Sequence, residues 1–191
     1  VAAAAVLAAL VVAAALYLWS RPPARTNVLA AQGEPALVLM DFSTPFALDP
    51  PPPGWWHRRF WTRAPMQMGF AVKDGVPAIR LETNASASML FRRVDVSLTD
   101  YPYLAWRWLV EQPIESPRDE RTREGDDHPA RLFLAFRTDA GEDRRMEIIW
   151  GNRLRAGEYK TIGTFPHYVA NGGEANLRRW QSEEIDLLAI Y

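Results

Sequence analysis

Tyr103-Leu104-Ala105-Trp106-Arg107-Trp108-Leu109-Val110-Glu111 is the stretch that decides the fold. Side chains of a strand alternate between its two faces, so a two-residue period marks a strand. Here Trp106 and Trp108 point one way and Arg107 the other. The same punctuation runs outward in both directions. Upstream, residues 69–73 and 76–82 flank Asp74-Gly75, a dipeptide favoured in tight hairpin turns. Residues 87–94 form a further strand pattern, and residues 36–42 a first one. Between these, residues 43–66 read as a long irregular segment that includes Pro50-Pro51-Pro52-Pro53 and then Trp55-Trp56. Proline runs favour a stiff extended helix, and this segment reads either as an ordered surface loop or as a docking loop with exposed Trp.

Downstream, residues 112–129 form a charged loop, and residues 130–138 a strand closed by Asp139-Ala140-Gly141-Glu142. Residues 145–150, 159–164 and 167–170 are shorter strands. Residues 178–185 follow, and residues 183–191 turn helical. Leu132-Phe133-Leu134-Ala135-Phe136 is apolar on both faces, as expected of a strand buried between layers. Strands separated by turns, without amphipathic helices between them, predict a mainly β chain built as an antiparallel β-sandwich over residues 36–191.

Residues 1–19 carry no charge. An apolar run of about 18 or more residues is long enough to cross a bilayer as a helix. Residues 1–20 are therefore expected to form a single transmembrane helix, and the Pro-rich residues 21–35 a linker. Ala5, Ala9 and Ala13 give the helix a small-residue face for close helix contact, and Tyr17 and Trp19 belong at the interface. The competing reading is a signal peptide cut near Val28-Leu29-Ala30. Arg21 and Arg25 after the run would favour a cytoplasmic location for the rest of the chain, on one flank only.

Composition excludes several functions. The chain has 22 basic and 23 acidic residues and a net charge of −1, so it carries no overall bias towards nucleic acid. Cysteine is absent, which removes disulfides, thiolate nucleophiles and Cys-ligated zinc. No G-x-S-x-G, H-E-x-x-H or phosphate-binding Gly loop occurs. His57, His128 and His167 have no triad or metal spacing, and no cofactor is expected.

Asp126-Asp127-His128-Pro129-Ala130-Arg131 admits two readings. Asp126 and Asp127 are weak metal candidates, since Ca²⁺ needs six to eight oxygens and zinc needs more His or Cys. The structural reading is an ion pair of Arg131 with Asp126 or Asp127. The aromatics also divide. Trp106, Trp108 and Trp150 are either core residues or a stacking platform for sugar, and Trp55 and Trp56 are either packed or exposed for docking. Glu147, Glu158, Glu183 and Glu184 read as surface acids, although glycosidase carboxylates need proximity only in space.

The strand Tyr101-Pro102-Tyr103-Leu104-Ala105-Trp106-Arg107-Trp108, the turn Asp126-Asp127-His128-Pro129-Ala130-Arg131, then Ile149-Trp150-Gly151 and Trp180, resemble a bacterial family of exported proteins known only as a domain of unknown function. The resemblance implies a jelly-roll-like β-sandwich and export, and no reaction. It departs at Glu184-Ile185, where such proteins carry Arg, and it implies strands beyond Tyr191 whose absence would leave an open sheet edge. The expected function is a non-catalytic accessory subunit of a larger membrane complex, respiratory or photosynthetic for example. Its partners would be other transmembrane subunits and lipid, in the bacterial inner membrane with the soluble part periplasmic. The alternative is a membrane-tethered carbohydrate-binding module of the cell envelope, and the third reading is an envelope hydrolase.

Overall fold

The computed structural model describes residues 28–29 and 36–190. The expected helix over residues 1–20, with Ala5, Ala9, Ala13, Tyr17 and Trp19, lies outside the described residues, as does most of the 21–35 linker. Among the described residues no helix is long and apolar enough to cross a membrane. The chain is mainly β and divides into two compact units after Val96.

The first unit holds β1 (Val28–Leu29), β2 (Trp55–Arg59), β3 (Gln67–Lys73), β4 (Val76–Glu82), β5 (Ser88–Arg92) and β6 (Val94–Asp95). β3 and β4 form the expected hairpin, with Phe70 opposite Ile79 and Lys73 opposite Val76. Asp74 and Gly75 both have positive φ, 52° and 77°, as the tight turn favoured between twisted strands requires. β2 pairs antiparallel with β5, and β1 runs parallel to β6. Two expectations change here. Residues 36–42 form no strand. Their apolar groups pack through side chains instead, Phe42 meeting Phe46 and Phe70 at 5.8 and 6.5 Å. Conversely, Trp55–Arg59 is a strand inside the segment that reads as irregular. The proline run masks it, because β2 begins directly after the turn that closes that run.

The second unit holds β7 (Tyr103–Trp108), β8 (Arg131–Arg137), β9 (Asp143–Gly151), β10 (Tyr159–Ile162), β11 (Phe165–Gly172), β12 (Gln181–Asp186) and the short helix α1 (Leu187–Ile190). β7 pairs antiparallel with β12, Trp106 opposite Glu183. The other strands form one sheet in the order β10-β11-β9-β8. The expected all-antiparallel arrangement fails at its centre, where β11 runs parallel to β9. β10 occupies the outer edge and turns back through a hairpin, which delivers β11 in the direction of β9. Hydropathy alternation marks strands but not their direction, so this was not readable from the sequence.

The strand buried on both faces is β9. All its residues from Met146 to Gly151 are buried, whereas β8 alternates and leaves Phe133 42% exposed. β8 lies at the edge of its sheet. One face of β9 meets the main core: Met146 and Ile148 pack with Ala170, Ile185 and Leu187, and with Leu104, Trp106, Trp108, Leu132 and Leu134 around them. The alternation along β7 thus buries its two Trp on the core side. The opposite face of the sheet carries Glu147 on β9, His167 on β11, Lys160 on β10 and Arg131 on β8.

Candidate functional site

Five polar residues among the described ones are buried, and all lie in the second unit: Glu120, His128, Glu147, Lys160 and His167. A buried polar group must find a partner or cost several kcal/mol, roughly 2–7. The arrangement follows from that rule. Two of the five come from the 112–129 loop and three from the sheet.

The loop is shaped by its own backbone. The Thr122 hydroxyl donates to the Asp119 carbonyl at 2.7 Å and accepts from the Gly125 N–H at 3.3 Å, capping a single 3₁₀ turn at Arg123–Gly125. Gly125 is required by contact: a Cβ there would stand 2.2 Å from the Asp119 oxygen. The folded loop brings the Glu120 carboxylate onto three successive backbone N–H groups, those of Asn152, Arg153 and Leu154, at 2.9, 2.7 and 2.5 Å. Asn152 returns the tie by donating from its amide to the Asp127 carbonyl and accepting from the Ile114 N–H.

Lys160 is the centre. Its ammonium donates to the Glu120 carbonyl at 2.5 Å, to Asp126 Oδ1 at 2.6 Å and to His128 Nε2 at 2.8 Å. An ammonium has three protons, and all three are used. Because His128 accepts at Nε2, its proton is on Nδ1, which donates to the Trp150 carbonyl at 3.2 Å. Burial first, and then the charges of Lys160 and Arg131, push the His128 pKa down to about 4. His128 is therefore neutral near pH 7. Burial alone would raise the Asp126 carboxyl, but the hydrogen bond and charge of Lys160 outweigh it and hold it below its usual value.

Arg131 takes its carboxylate from Glu147 at 2.9 Å and reaches Asp126 through the backbone carbonyl at 3.1 Å. The Asp126 carboxylate goes to Lys160 instead, and Asp127 is exposed. His167 Nδ1 donates to the Phe165 carbonyl at 3.0 Å. Its Nε2 is buried without a hydrogen-bond partner and stands 3.5 Å from both Asp126 Oδ1 and Glu147 Oε2. Among the described residues no group of three or more His, Cys, Asp or Glu side chains is arranged to hold a metal ion. The cation beside Asp126 and His128 is the ammonium of Lys160.

Trp106, Trp108 and Trp150 meet edge to face at 5.3 and 5.6 Å within the core, so their rings pack on one another. Trp108 donates to Glu183 at 3.0 Å, as does Asn171 at 2.8 Å. Glu158 pairs with Arg121 at 3.0 Å, and Glu184 is exposed. Trp55 and Trp56 are half-buried in β2, Trp56 stacked on Phe91 at 5.7 Å and Trp55 beneath the Arg92 guanidinium. The freely exposed Trp of that region is Trp61, at 93%. His57 Nε2 lies 2.8 Å from the Ser88 hydroxyl, a nucleophile-and-base pairing in outline. Its Nδ1 is buried with no acceptor, so no third group orients the ring as an activated serine needs.

Sequence reasoning missed Lys160, Glu120 and the role of His167. One signal was present. The 22 basic residues comprise 20 Arg and two Lys, Lys73 and Lys160. At Lys160 three acceptors converge on one nitrogen, which a compact ammonium can serve and a planar guanidinium cannot.

Residues 53–191 match the family described as a protein of unknown function, DUF3047. No curated protein and no solved structure matches the chain. The match takes in β2 to β12, both ends of the polar centre and the Tyr103–Trp108 strand, and the chain belongs to the DUF3047 family.

Proposed function

We propose that this chain is a non-catalytic accessory subunit of a larger membrane complex. Residues 1–20 anchor it as a single-pass helix in the bacterial inner membrane, and the β-rich part, a jelly-roll-like sandwich on the periplasmic side, braces the surface of that complex. The observation that carries the non-catalytic reading is the saturation of Lys160. Its three protons go to Glu120, Asp126 and His128, and Glu120 is in turn closed by three backbone N–H groups. A catalytic acid or base must keep a proton or lone pair for substrate. Lys160 gives all three of its protons to neighbours and Glu120 takes three backbone N–H groups, which supports a centre that holds a loop onto a sheet. The uncharged residues 1–19 support the anchor.

The test is gentle solubilisation of native membranes with the full chain in place, followed by sizing. The expected result is migration in an assembly well above the 21.7 kDa of the chain. Exchanging residues 1–20 for an unrelated transmembrane segment should abolish that association. Migration as a monomer from native membranes overturns the reading. Association that survives the exchange reduces the helix to a tether.

A further inference from the structure

We propose that the corner between β2 and β3, residues 58–64, docks on anionic lipid headgroups with Trp61 inserted among them. Trp61 is 93% exposed, more than any other large hydrophobic side chain among the described residues. A bare indole in water is an unusual expense for a folded domain, and its ring with one N–H suits the headgroup layer of a bilayer. The corner presents it deliberately: the Arg63 N–H donates to the Phe60 carbonyl at 3.1 Å, which closes a turn with Trp61 and Thr62 at its apex.

The charge around it has one sign. From Pro50 to Lys73 the sequence holds Arg58, Arg59, Arg63 and Lys73 and no Asp or Glu. Asp49 engages Arg59 at 3.1 Å, and the Arg58 guanidinium lies over Phe60 at 5.4 Å. Arg58 and Arg63 are exposed. Basic side chains flanking an exposed Trp complement a phosphate-rich surface, since they supply the long-range attraction and the ring supplies the insertion. A protein groove of acidic character could also take such a corner. The lipid surface is favoured because β1 ties Val28 to the same unit through its pairing with Val94. Seven residues separate Ser20 from Val28, a reach of about 30 Å at full extension. This proximity rests on the proposed anchor; the exposure and the charge do not.

The chain has no cysteine, so one introduced thiol labels one site. Full-length Thr62→Cys, beside Trp61 at the exposed apex of the turn, and Leu188→Cys, at a 52% exposed position of the second unit, would each carry an environment-sensitive fluorophore with Trp61 in place. Each is reconstituted in nanodiscs of phosphatidylcholine with and without phosphatidylglycerol. At residue 62 we expect a blue shift and at least twofold quenching by headgroup-labelled lipid, rising with phosphatidylglycerol and falling with salt. At residue 188 neither is expected. Adding Arg58→Gln and Arg63→Gln, or Trp61→Ala, should remove at least half of the quenching at 62. The proposal is overturned if residue 62 stays as water-exposed as residue 188, or is protected only when membrane proteins are added. A chain that fails to enter nanodiscs overturns the anchor instead. Flotation of that chain with phosphatidylglycerol vesicles then decides the corner: binding lost on Trp61→Ala upholds it, and no binding overturns it.

Discussion

The two units handle their polar and apolar groups in opposite ways. Of the fully buried apolar residues among those described, only Leu48 belongs to the first unit, and all five buried polar residues belong to the second. The second unit builds a four-stranded sheet with a core on one face and a buried polar centre on the other. The first is built from two-stranded ribbons, each marginal alone in water. It turns Trp61, Val72 and Leu81 outward. Both units leave some large apolar side chains in water, Tyr103 and Leu188 in the second among them, but the buried groups lie almost wholly from Ser97 onward and the most exposed apolar side chain, Trp61, lies before it.

The sharpest way to break that contrast is to remove the ammonium at its centre. Lys160→Met leaves the Asp126 carboxylate, the His128 lone pair and the Glu120 carbonyl facing one another. Breaking one side of a buried ion pair costs about 3–5 kcal/mol, because the other charge stays buried. Denaturant unfolding of the full chain should show a loss of that size. Lys160→Arg should recover little of it, since a planar fork cannot reach three acceptors that converge on one nitrogen. An unchanged midpoint for Lys160→Met would mean that the polar centre does not hold the second unit together.

Acid gives the next effect. His128 titrates at about 4 in the folded chain and near 6.5 unfolded. Between those values the unfolded chain binds a proton that the folded chain does not, so stability rises with pH across the window and is lost as pH falls from 6.5 to 4. The total is at most about 3 kcal/mol, and the slope should flatten below pH 4 as far as this residue is concerned. Asp126 adds a loss at still lower pH, because its folded pKa lies below the ordinary Asp value of 3.8 and it releases its partner only when protonated. Stability measured from pH 7 to 4 should show this slope, and His128→Gln should remove the share of His128 and leave that of His57, whose pKa burial and then the charge of Arg59 also lower. A wild-type profile that stays flat over that range would mean that His128 is charged or exposed when folded.

Gly125→Ala should have the third effect, about 1–3 kcal/mol, the usual range for forcing extra volume into a filled site. The new methyl would lie 2.2 Å from the Asp119 backbone oxygen, which no side-chain rotation can relieve. The 3₁₀ turn that aims Glu120 and Asp126 must shift. If thermal unfolding is unchanged, the loop is looser than its contacts imply.

Much of the fold was legible and little of the polar centre was. The Asp74-Gly75 hairpin, the Tyr103–Trp108 strand and the alternation that buries Trp106 and Trp108 all follow from period and turn chemistry, which are local. The parallel junction of β9 with β11 is a pairing decision made by the whole sheet. The centre joins residues 120, 126, 128, 147, 160 and 167, brought together by that pairing and by the Gly125 turn. Asp126-Asp127-His128-Pro129-Ala130-Arg131 could be picked out as a cluster, yet its Arg pairs with Glu147 and its Asp with Lys160, sixteen and thirty-four residues away. Local sequence offers the ion pair nearest in number; the sheet offers the one nearest in space.

The smallest expected effect is the most telling for the comparison. Trp61→Ala removes one of the eight Trp side chains, yet at 93% exposure that side chain has almost no packing to lose. Substitutions away from cores, caps and networks usually fall within about 0.5 kcal/mol. Unfolding of the full chain should therefore be unchanged by Trp61→Ala, while any association of the chain with a lipid surface should weaken. A clear loss of stability would show that Trp61 is covered in the folded protein, and the corner would then belong with the interior of the molecule. Stability unchanged with lipid association weakened would confirm that the first unit carries an aromatic side chain the fold does not need, which is what a side chain kept for a partner looks like.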